Sequence, residues 1–252
     1  MDTKSIVPRA DEEGGIGTSA KKWLAGYFKT LYLSAQAITD NSIVTIDSAD
    51  AGDDEYCRFT AAGIEGRTVA EMKTDLGVDY RTIYIPANAM TPTATNGAAM
   101  GTTEYATQDI NMDYLAFDTT TEEFAEFQFP MPEDWDRSTI KAKFFWSSAT
   151  GSTAGDTVEW EILGGALSDS DAIDAALGTA QVISDALLAD NGGDMQVSAA
   201  TPAITVGGTP ALGDMVHFKV SRNVGGTDDM VEDAWLFGVW IQYKCTNTCA
   251  AW

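Results

Sequence analysis

Few residues of this chain have the types and spacing that catalysis requires. The one histidine, His217, lies between Val216 and Phe218 in an alternating segment. A nucleophilic hydrolase could use such a base, but no Gly-x-Ser-x-Gly motif accompanies it. A metal centre made of several histidines is likewise excluded within one chain. We therefore expect His217 to have a structural or surface role.

Acidic residues provide the next candidates. Glu159 and Glu161 would lie about 7 Å apart on one face of a strand, and glycosidases act through two carboxylates. The same spacing is expected of any solvated strand face, which is the interpretation we favour. The acidic loops at 47–54 and 169–171 do not match the calcium-loop pattern with its distal glutamate. We interpret both as solvated loops.

The three cysteines are Cys57, Cys245 and Cys249. A zinc ion needs four ligands, and only His217 and Cys57 could add to the Cys-x-x-x-Cys pair. Whether Cys245 and Cys249 form a disulfide stays open, because spacing alone does not decide it. The sequence thus predicts no catalytic, cofactor-binding or metal-binding residue, and it favours a structural or binding protein over an enzyme.

Charge and hydropathy narrow the classes of partner. Lys and Arg number 15 and Asp and Glu number 38 among 252 residues, giving a net charge of −23. This balance disfavours nucleic acid and anionic lipid as partners. No apolar run approaches the roughly 20 residues of a membrane span. The N-terminus shows no apolar signal-peptide core, so we expect assembly in a cytoplasm.

The elements that would position any site differ between residues 1–80 and 81–252. The first 17 residues are polar and glycine-rich and predict an extended arm, whereas 18–33 fit either a helix or a strand. Short strands are predicted at 42–46 and 55–60. The best helix signal is 68–76, where Thr68 and Glu71 match a capping box and Gly77 follows as a stop.

From residue 81 the hydrophobic period is two, which predicts strands at 81–85, 112–117, 123–129, 139–148, 157–163, 214–222 and 233–244. Strands 139–148 and 157–163 are expected to form a hairpin that pairs a lysine face with a glutamate face. One helical turn is expected at 171–177. The longest strand is expected to place Trp235, Phe237, Val239, Ile241 and Tyr243 on one face and Leu236, Trp240 and Gln242 on the other. We predict a mainly β fold, with an antiparallel, jelly-roll-like sandwich over 81–252.

Three stretches resemble virion appendage proteins of tailed bacteriophages. Residues 14–33, GGIGTSAKKWLAGYFKTLYL, are similar to a GTS-KKW…YF segment near the N-terminus of such proteins. Residues 59–77, FTAAGIEGRTVAEMKTDLG, are similar to the GLEGRT-AE-LSDLG segment that follows it. Residues 83–129 resemble a domain of phage and prophage virion proteins. The long repetitive shaft of extended fibres has no counterpart in this chain.

This resemblance implies a homotrimeric virion component without a catalytic motif. Residues 1–80 would attach to the major capsid or other virion proteins and form the trimer, and 81–252 would be displayed. A capsid-surface decoration or short head fibre, contacting host surface carbohydrate, is the expected function. A tail fibre or tail-associated receptor-binding protein is the alternative. The expected location is the virion, assembled in the bacterial cytoplasm.

Overall fold

The computed structural model describes residues 55–61, 63–189 and 193–246. The predicted arm at 1–17, the ambiguous segment at 18–33 and the strand at 42–46 lie outside the described residues. The chain folds into two compact units, and the described part of the first comprises residues 57–61 and 63–66. The predicted boundary at residue 80 stays a prediction. Among the described residues, no helix is long and apolar enough to cross a lipid bilayer.

Strand β1 (Tyr56–Thr60) confirms the strand predicted at 55–60. It pairs with β2 (Gly63–Arg67), which the sequence analysis did not predict. Within this hairpin the Arg58 guanidinium lies 2.6 Å from the Glu65 carboxylate. The pair is solvent-exposed, so it contributes little to stability.

Helix α1 (Val69–Leu76) confirms the predicted capping box. The Thr68 hydroxyl accepts a bond from the Glu71 amide at 3.3 Å, and the Glu71 carboxylate accepts one from the Thr68 amide at 3.0 Å. Gly77 ends the helix with φ of 65°, a left-handed conformation that glycine adopts without strain. Val69 and Leu76 are exposed, and α1 has no buried residue.

The remaining described residues of the second unit are mainly strands. In chain order these are β3 (Tyr80–Pro86), β4 (Thr91–Pro92), β5 (Ala99–Tyr105), β6 (Ile110–Phe117), β7 (Phe124–Pro130), β8 (Lys141–Ser148), β9 (Thr157–Leu167), β10 (Gln181–Ala186), β11 (Gln196–Val197), β12 (Met215–Arg222) and β13 (Ala234–Lys244). All seven strands predicted after residue 80 are present.

These strands form two antiparallel sheets. One sheet has five strands in the order β10-β9-β12-β7-β4. The other has six, in the order β11-β8-β13-β6-β5, with β3 pairing β13 as well. β13 pairs with β8 along one edge, while its other edge pairs first with β6 and then with β3. The fold is therefore the predicted jelly-roll-like β-sandwich.

Aromatic side chains fill the space between the sheets. Trp160 of β9 is fully buried and stacks on Phe144 of β8, with ring centroids 5.4 Å apart. Phe117 and Trp146 contact the same indole edge-on. On β12, Val216, Phe218 and Val220 are all fully buried, as their alternation predicted. Burial of this kind of surface is the main favourable term in folding.

The predicted hairpin between 139–148 and 157–163 is wrong. β8 belongs to the six-stranded sheet and β9 to the five-stranded sheet. Both strands have apolar inner faces, which meet across the core instead of lying side by side. Lys141 and Lys143 therefore lie on one outer face of the sandwich, and Glu159 and Glu161 on the other. No lysine of β8 pairs with a glutamate of β9 among the described contacts.

Two further expectations need correction. Residues 171–177 form no helical turn, and the nearby regular element is β10. The Asp171 carboxylate accepts the Ser168 amide at 2.9 Å, a local bond that favours a turn over a helix. Within β13, the register shifts between Leu236 and Gly238, which is a β-bulge at Phe237.

The bulge at Phe237 reverses the face of every β13 residue that precedes it. Val239, Ile241 and Tyr243 point into the core as predicted. Leu236 does so too, although it was expected on the opposite face. Trp235 is consequently moved to the outer face, where it stacks on Tyr114 with centroids 4.3 Å apart. An extra residue in one strand causes this change of phase.

Candidate functional site

The residues considered for catalysis are placed apart from one another. His217 lies on the outer face of the five-stranded sheet, with Nε2 3.6 Å from the Glu126 carboxylate and Nδ1 3.3 Å from the Gln128 side-chain oxygen. Both partners belong to the neighbouring strand β7. This environment fits the surface role expected of His217.

Glu159 and Glu161 do share a strand face, but Glu159 is held as a structural acceptor. Its Oε1 accepts bonds from the Thr227 hydroxyl at 2.7 Å and from the Ser184 hydroxyl at 3.2 Å. Burial raises the pKa of Glu161, and the nearby charge of Glu122 acts in the same direction. Glu159 therefore secures the loop that follows β12.

The remaining candidates are dispersed as well. Asp169 and Asp171 belong to a tight turn. Cys245 is buried, with its sulfur 3.0 Å from the Val78 carbonyl oxygen, while Cys249 and the loop at 47–54 lie outside the described residues. Over the described part of the chain, no group of three or more His, Cys, Asp or Glu side chains could hold a metal ion.

A different site emerges on the outer face of the six-stranded sheet. Strands β3, β13 and β8 lie side by side there, so residues far apart in the chain form rows. Trp240 lies opposite both Tyr84 and Lys143, and in the next row Gln242 lies opposite both Thr82 and Lys141. Because successive side chains of a strand alternate between faces, these rows all point away from the core. We call them, with Phe145 and Lys244, the lysine–aromatic face.

Three aromatic rings of the lysine–aromatic face support one another. Phe145 meets Trp240 edge-on at 4.9 Å between centroids and Tyr84 at 5.5 Å. Trp240 is nevertheless 41% exposed and Tyr84 45% exposed. Such edge-to-face contacts restrain the rings without covering them. The aromatic surface is thus both accessible and held in place.

Gly238 makes room for this arrangement. The Tyr84 ring lies over it, and an added Cβ would be 2.4 Å from the tyrosine oxygen. The Tyr84 hydroxyl donates a bond to the Phe237 carbonyl at 3.2 Å, which ties the ring to the bulge. Burial raises the pKa of Tyr84, so its hydroxyl remains a donor across the physiological range.

Two adjoining depressions run along the lysine–aromatic face. One, of about 180 Å³, lies beside Trp240, and the other, of about 250 Å³, beside Lys244. Lys141 and Gln242 line both, so the two depressions share a border, and we call them together the groove. Trp240 and Lys244 are four residues apart on β13, which corresponds to about 13 Å. The groove thus joins an aromatic surface to amide, hydroxyl and ammonium donors.

The charge of this face differs from that of the whole chain. None of the nine outward residues of β3, β13 and β8 here is acidic: Tyr80, Thr82, Tyr84, Lys141, Lys143, Phe145, Trp240, Gln242 and Lys244. Within the described part of the chain, Lys141, Lys143 and Lys244 have no carboxylate at ion-pair distance. A chain of net charge −23 therefore presents a local basic surface.

Sequence reasoning missed this site for a specific reason. Lys141 and Lys143 were expected to pair with glutamates, and Trp240 was expected to share a strand face with Leu236. The sequence does contain a signal for the site. Trp240, Gln242 and Lys244 alternate with apolar residues and so share one face of their strand, as Lys141 and Lys143 do on β8. The pairing of β3, β8 and β13 was not deducible from local pattern.

Comparison with known proteins gives only distant similarity. No family model and no curated protein matches the chain. Among solved structures, it is similar to the CBM22-1–GH10 modules of xylanase 10B from Clostridium thermocellum, complexed with xylohexaose, with a TM-score of 0.37 and 13% identity. That match covers 69% of this chain and spans 30% of the xylanase chain.

Two other solved structures are similar at the same level. One is the family 11 carbohydrate-binding module from Clostridium thermocellum, with a TM-score of 0.33, 11% identity, and coverage of 65% of this chain and 88% of the module. The other is a protein of unknown function from Shewanella oneidensis, with a TM-score of 0.32, 12% identity, and coverage of 74% and 98%. Similarity this distant carries no argument about ligand or activity.

Proposed function

We propose that this protein is a non-catalytic structural component of a tailed-bacteriophage virion that displays its β-sandwich and binds host surface carbohydrate through the lysine–aromatic face. The observation that carries the binding role is the exposed pair Trp240 and Tyr84 beside a groove lined by polar donors. Aromatic rings offer a flat apolar surface to a sugar ring, and a few polar groups then fix its orientation.

The virion assignment rests on the resemblance of residues 14–33, 59–77 and 83–129 to phage appendage proteins. In this proposal the chain is a homotrimer, residues 1–80 attach to the major capsid or other virion proteins, and 81–252 are displayed. The favoured place is the capsid surface, as a decoration or short head fibre. Assembly takes place in the bacterial cytoplasm.

A tail-associated receptor-binding protein is the second candidate. It is favoured by the same observation, because a rigid and accessible aromatic face is what recognition of a surface glycan needs. The two candidates share the binding chemistry and differ in where the trimer is attached.

The binding role is tested by comparing wild-type protein with Trp240→Ala in adhesion to host cells and isolated host glycans. We expect Trp240→Ala to reduce binding about 30-fold or more, since truncating an anchor residue typically costs about 2 kcal/mol or more. Ile173→Ala, an exposed apolar substitution in a loop of the other sheet, serves as the control and should bind normally. Equal binding by the wild type and Trp240→Ala would overturn the role of this face.

The virion role is tested by locating the protein on purified particles with cryo-electron microscopy. Trimeric density on the capsid supports the decoration assignment, and density only at the tail supports the receptor-binding alternative. Protein lacking residues 1–17 should keep its β-sandwich, because none of the described strands is removed, and should no longer be incorporated. Normal incorporation of the truncated protein would contradict attachment through the arm.

A further inference from the structure

We propose that the lysine–aromatic face selects an acidic polysaccharide, one whose sugars carry uronic-acid carboxylates. This inference rests on the proposed carbohydrate binding and specifies the ligand class. The aromatic rings would stack on the sugars, while Lys141 and Lys143 would pair with the carboxylates. Lys244, farther along the groove, would extend this pairing to a neighbouring sugar.

The distribution of partners among the basic residues supports this assignment. Elsewhere in the sandwich, three cationic side chains have partners within the protein: Arg81 with Asp134, Arg222 with Asp228, and Lys219 over the Phe124 ring. Arg137, in the loop before β8, is exposed and makes no ion pair among the described residues. The ammonium groups of Lys141, Lys143 and Lys244 have no such carboxylate among the described residues. They are thus free to pair with an external anion.

The spacing of these lysines fits a chain-like ligand. Lys141 and Lys143 are two residues apart on β8, so their attachment points are about 7 Å apart on one face. Lys141 lines both depressions and Lys244 lines the second, so the positive charges follow the groove along its length. A single small anion would need one lysine, whereas a polyanion can engage several.

The strongly acidic remainder of the protein does not prevent this interaction. Screening at physiological salt limits the reach of exposed charges to about 8 Å. A ligand in the groove therefore responds mainly to the lysines that it contacts. The same screening limits the repulsion between the acidic residues elsewhere on the surface and a polyanion in the groove.

A matched pair of polymers tests the selectivity of the full-length chain. Polygalacturonate and its fully methyl-esterified form share a backbone, and only the first carries carboxylates. We expect tighter binding of polygalacturonate, by about 3- to 30-fold, since two or three exposed ion pairs each contribute modestly. Rising salt should weaken binding of the acid form and leave that of the ester nearly unchanged. Alginate and hyaluronate, with their esters, extend the test to other uronic acids.

Three variants separate the contributions of charge and stacking. Lys141→Gln/Lys143→Gln should strongly reduce the preference for the acid form, leaving only the contribution of Lys244, and should retain binding of the ester. Trp240→Ala should weaken both. Lys219→Gln, on the outer face of the other sheet, is the charge-matched control and should behave like the wild type.

The outcomes distinguish this inference from the proposed function. Carbohydrate binding stands and acid selectivity is refuted if both forms of the polymer bind equally well, or if only neutral polysaccharides bind. In either case the binding would depend on Trp240 and would not depend on the lysines. If no polysaccharide binds, both are refuted. Tighter Trp240-dependent binding of single-stranded oligothymidylate, or self-association that the lysine double variant abolishes, would also overturn acid selectivity, because the face would then serve another partner.

Discussion

The two outer faces of the sandwich are both built from antiparallel strands, but their outward polar side chains differ in whether they have partners within the protein. On the five-stranded sheet, polar side chains contact one another or the nearby loop: His217 contacts Glu126, and Glu159 accepts bonds from Ser184 and Thr227. On the six-stranded sheet, Trp240 and the lysines of the lysine–aromatic face extend into open grooves. One face thus uses its polar groups for stability, and the other keeps them available for a ligand.

This difference shows that strand alternation alone does not reveal a binding surface. Both faces alternate equally well, and both carry charged residues at outward positions. What distinguishes them is whether the polar groups have partners within the protein. A polar group that is satisfied internally contributes to stability, whereas an unsatisfied exposed group contributes only when a ligand arrives.

The largest effect is expected at Arg222, a cation whose partner lies within the protein and which, unlike His217 and Lys219 of the same strand, is fully buried. Its guanidinium pairs with both Asp228 oxygens, at 2.7 and 2.9 Å. Asp228→Ala should lower the free energy of unfolding by about 3–5 kcal/mol, because it leaves a buried charge unpaired. Denaturant unfolding at one protein concentration measures this, since association would make the stability concentration-dependent.

The loss of stability in Asp228→Ala is compared with that in two other variants. Asp174→Ala removes an exposed loop carboxylate, and Trp240→Ala removes the aromatic centre of the lysine–aromatic face. Each should change the free energy of unfolding by no more than about 1 kcal/mol. A loss with Trp240→Ala as large as that with Asp228→Ala would show that the lysine–aromatic face is also structural, and the contrast between the faces would fail.

The parts of the fold that local pattern determines were predicted well. The period of two at 139–148 gives Ile140, Ala142, Phe144 and Trp146 a common face, and all four are buried. The capping box at Thr68 likewise specified the start of α1, because its atoms lie within four residues of one another. Such signals need no knowledge of distant neighbours.

The predictions that were wrong concern features of the fold that depend on contacts between distant segments. The sheet membership of β8 and β9 is decided by how their aromatic inner faces pack, which alternation does not encode. Alternation does not reveal the bulge at Phe237 either, and because of this bulge Trp235 lies on the outer face and Leu236 in the core. The lysine–aromatic face combines three strands from separate parts of the chain, so it appears only when their pairing is known.

A second, smaller effect is expected where Gly238 approaches Tyr84. Gly238→Ala would place a methyl group 2.4 Å from the tyrosine oxygen and 2.7 Å from the Ile85 carbonyl oxygen. We expect a cost of about 1–3 kcal/mol from overpacking and weaker glycan binding from a displaced ring. Thermal unfolding and glycan titration measure the two effects.

The double variant Tyr84→Ala/Gly238→Ala tests the mechanism of that effect. Without the ring, only the contact with the Ile85 carbonyl remains, so Gly238→Ala should cost less in this background than in the wild type. Additive losses would mean that crowding of the backbone, and not displacement of Tyr84, causes the destabilisation.

The smallest effect concerns Asp185, which links the two sheets at an edge. Its carboxylate accepts the indole N–H of the buried Trp146 at 2.7 Å. Burial raises the pKa of Asp185, and the bond from Trp146 opposes this shift. Because the folded state binds the proton more tightly than the unfolded state, ionisation of Asp185 at neutral pH lowers stability, and stability is regained as the pH falls through the raised pKa.

Asp185→Asn keeps a side-chain oxygen for Trp146 and removes the charge. We expect it to raise the free energy of unfolding at pH 7 by less than about 1 kcal/mol, because the half-exposed carboxylate is partly solvated. The gain should shrink as the pH falls from neutral through the raised pKa of Asp185, where the folded wild-type carboxyl takes up its proton. Unfolding curves at a series of pH values measure the difference, and Asp174→Asn serves as the control. A gain that does not change with pH would show that charge at Asp185 is not its cause.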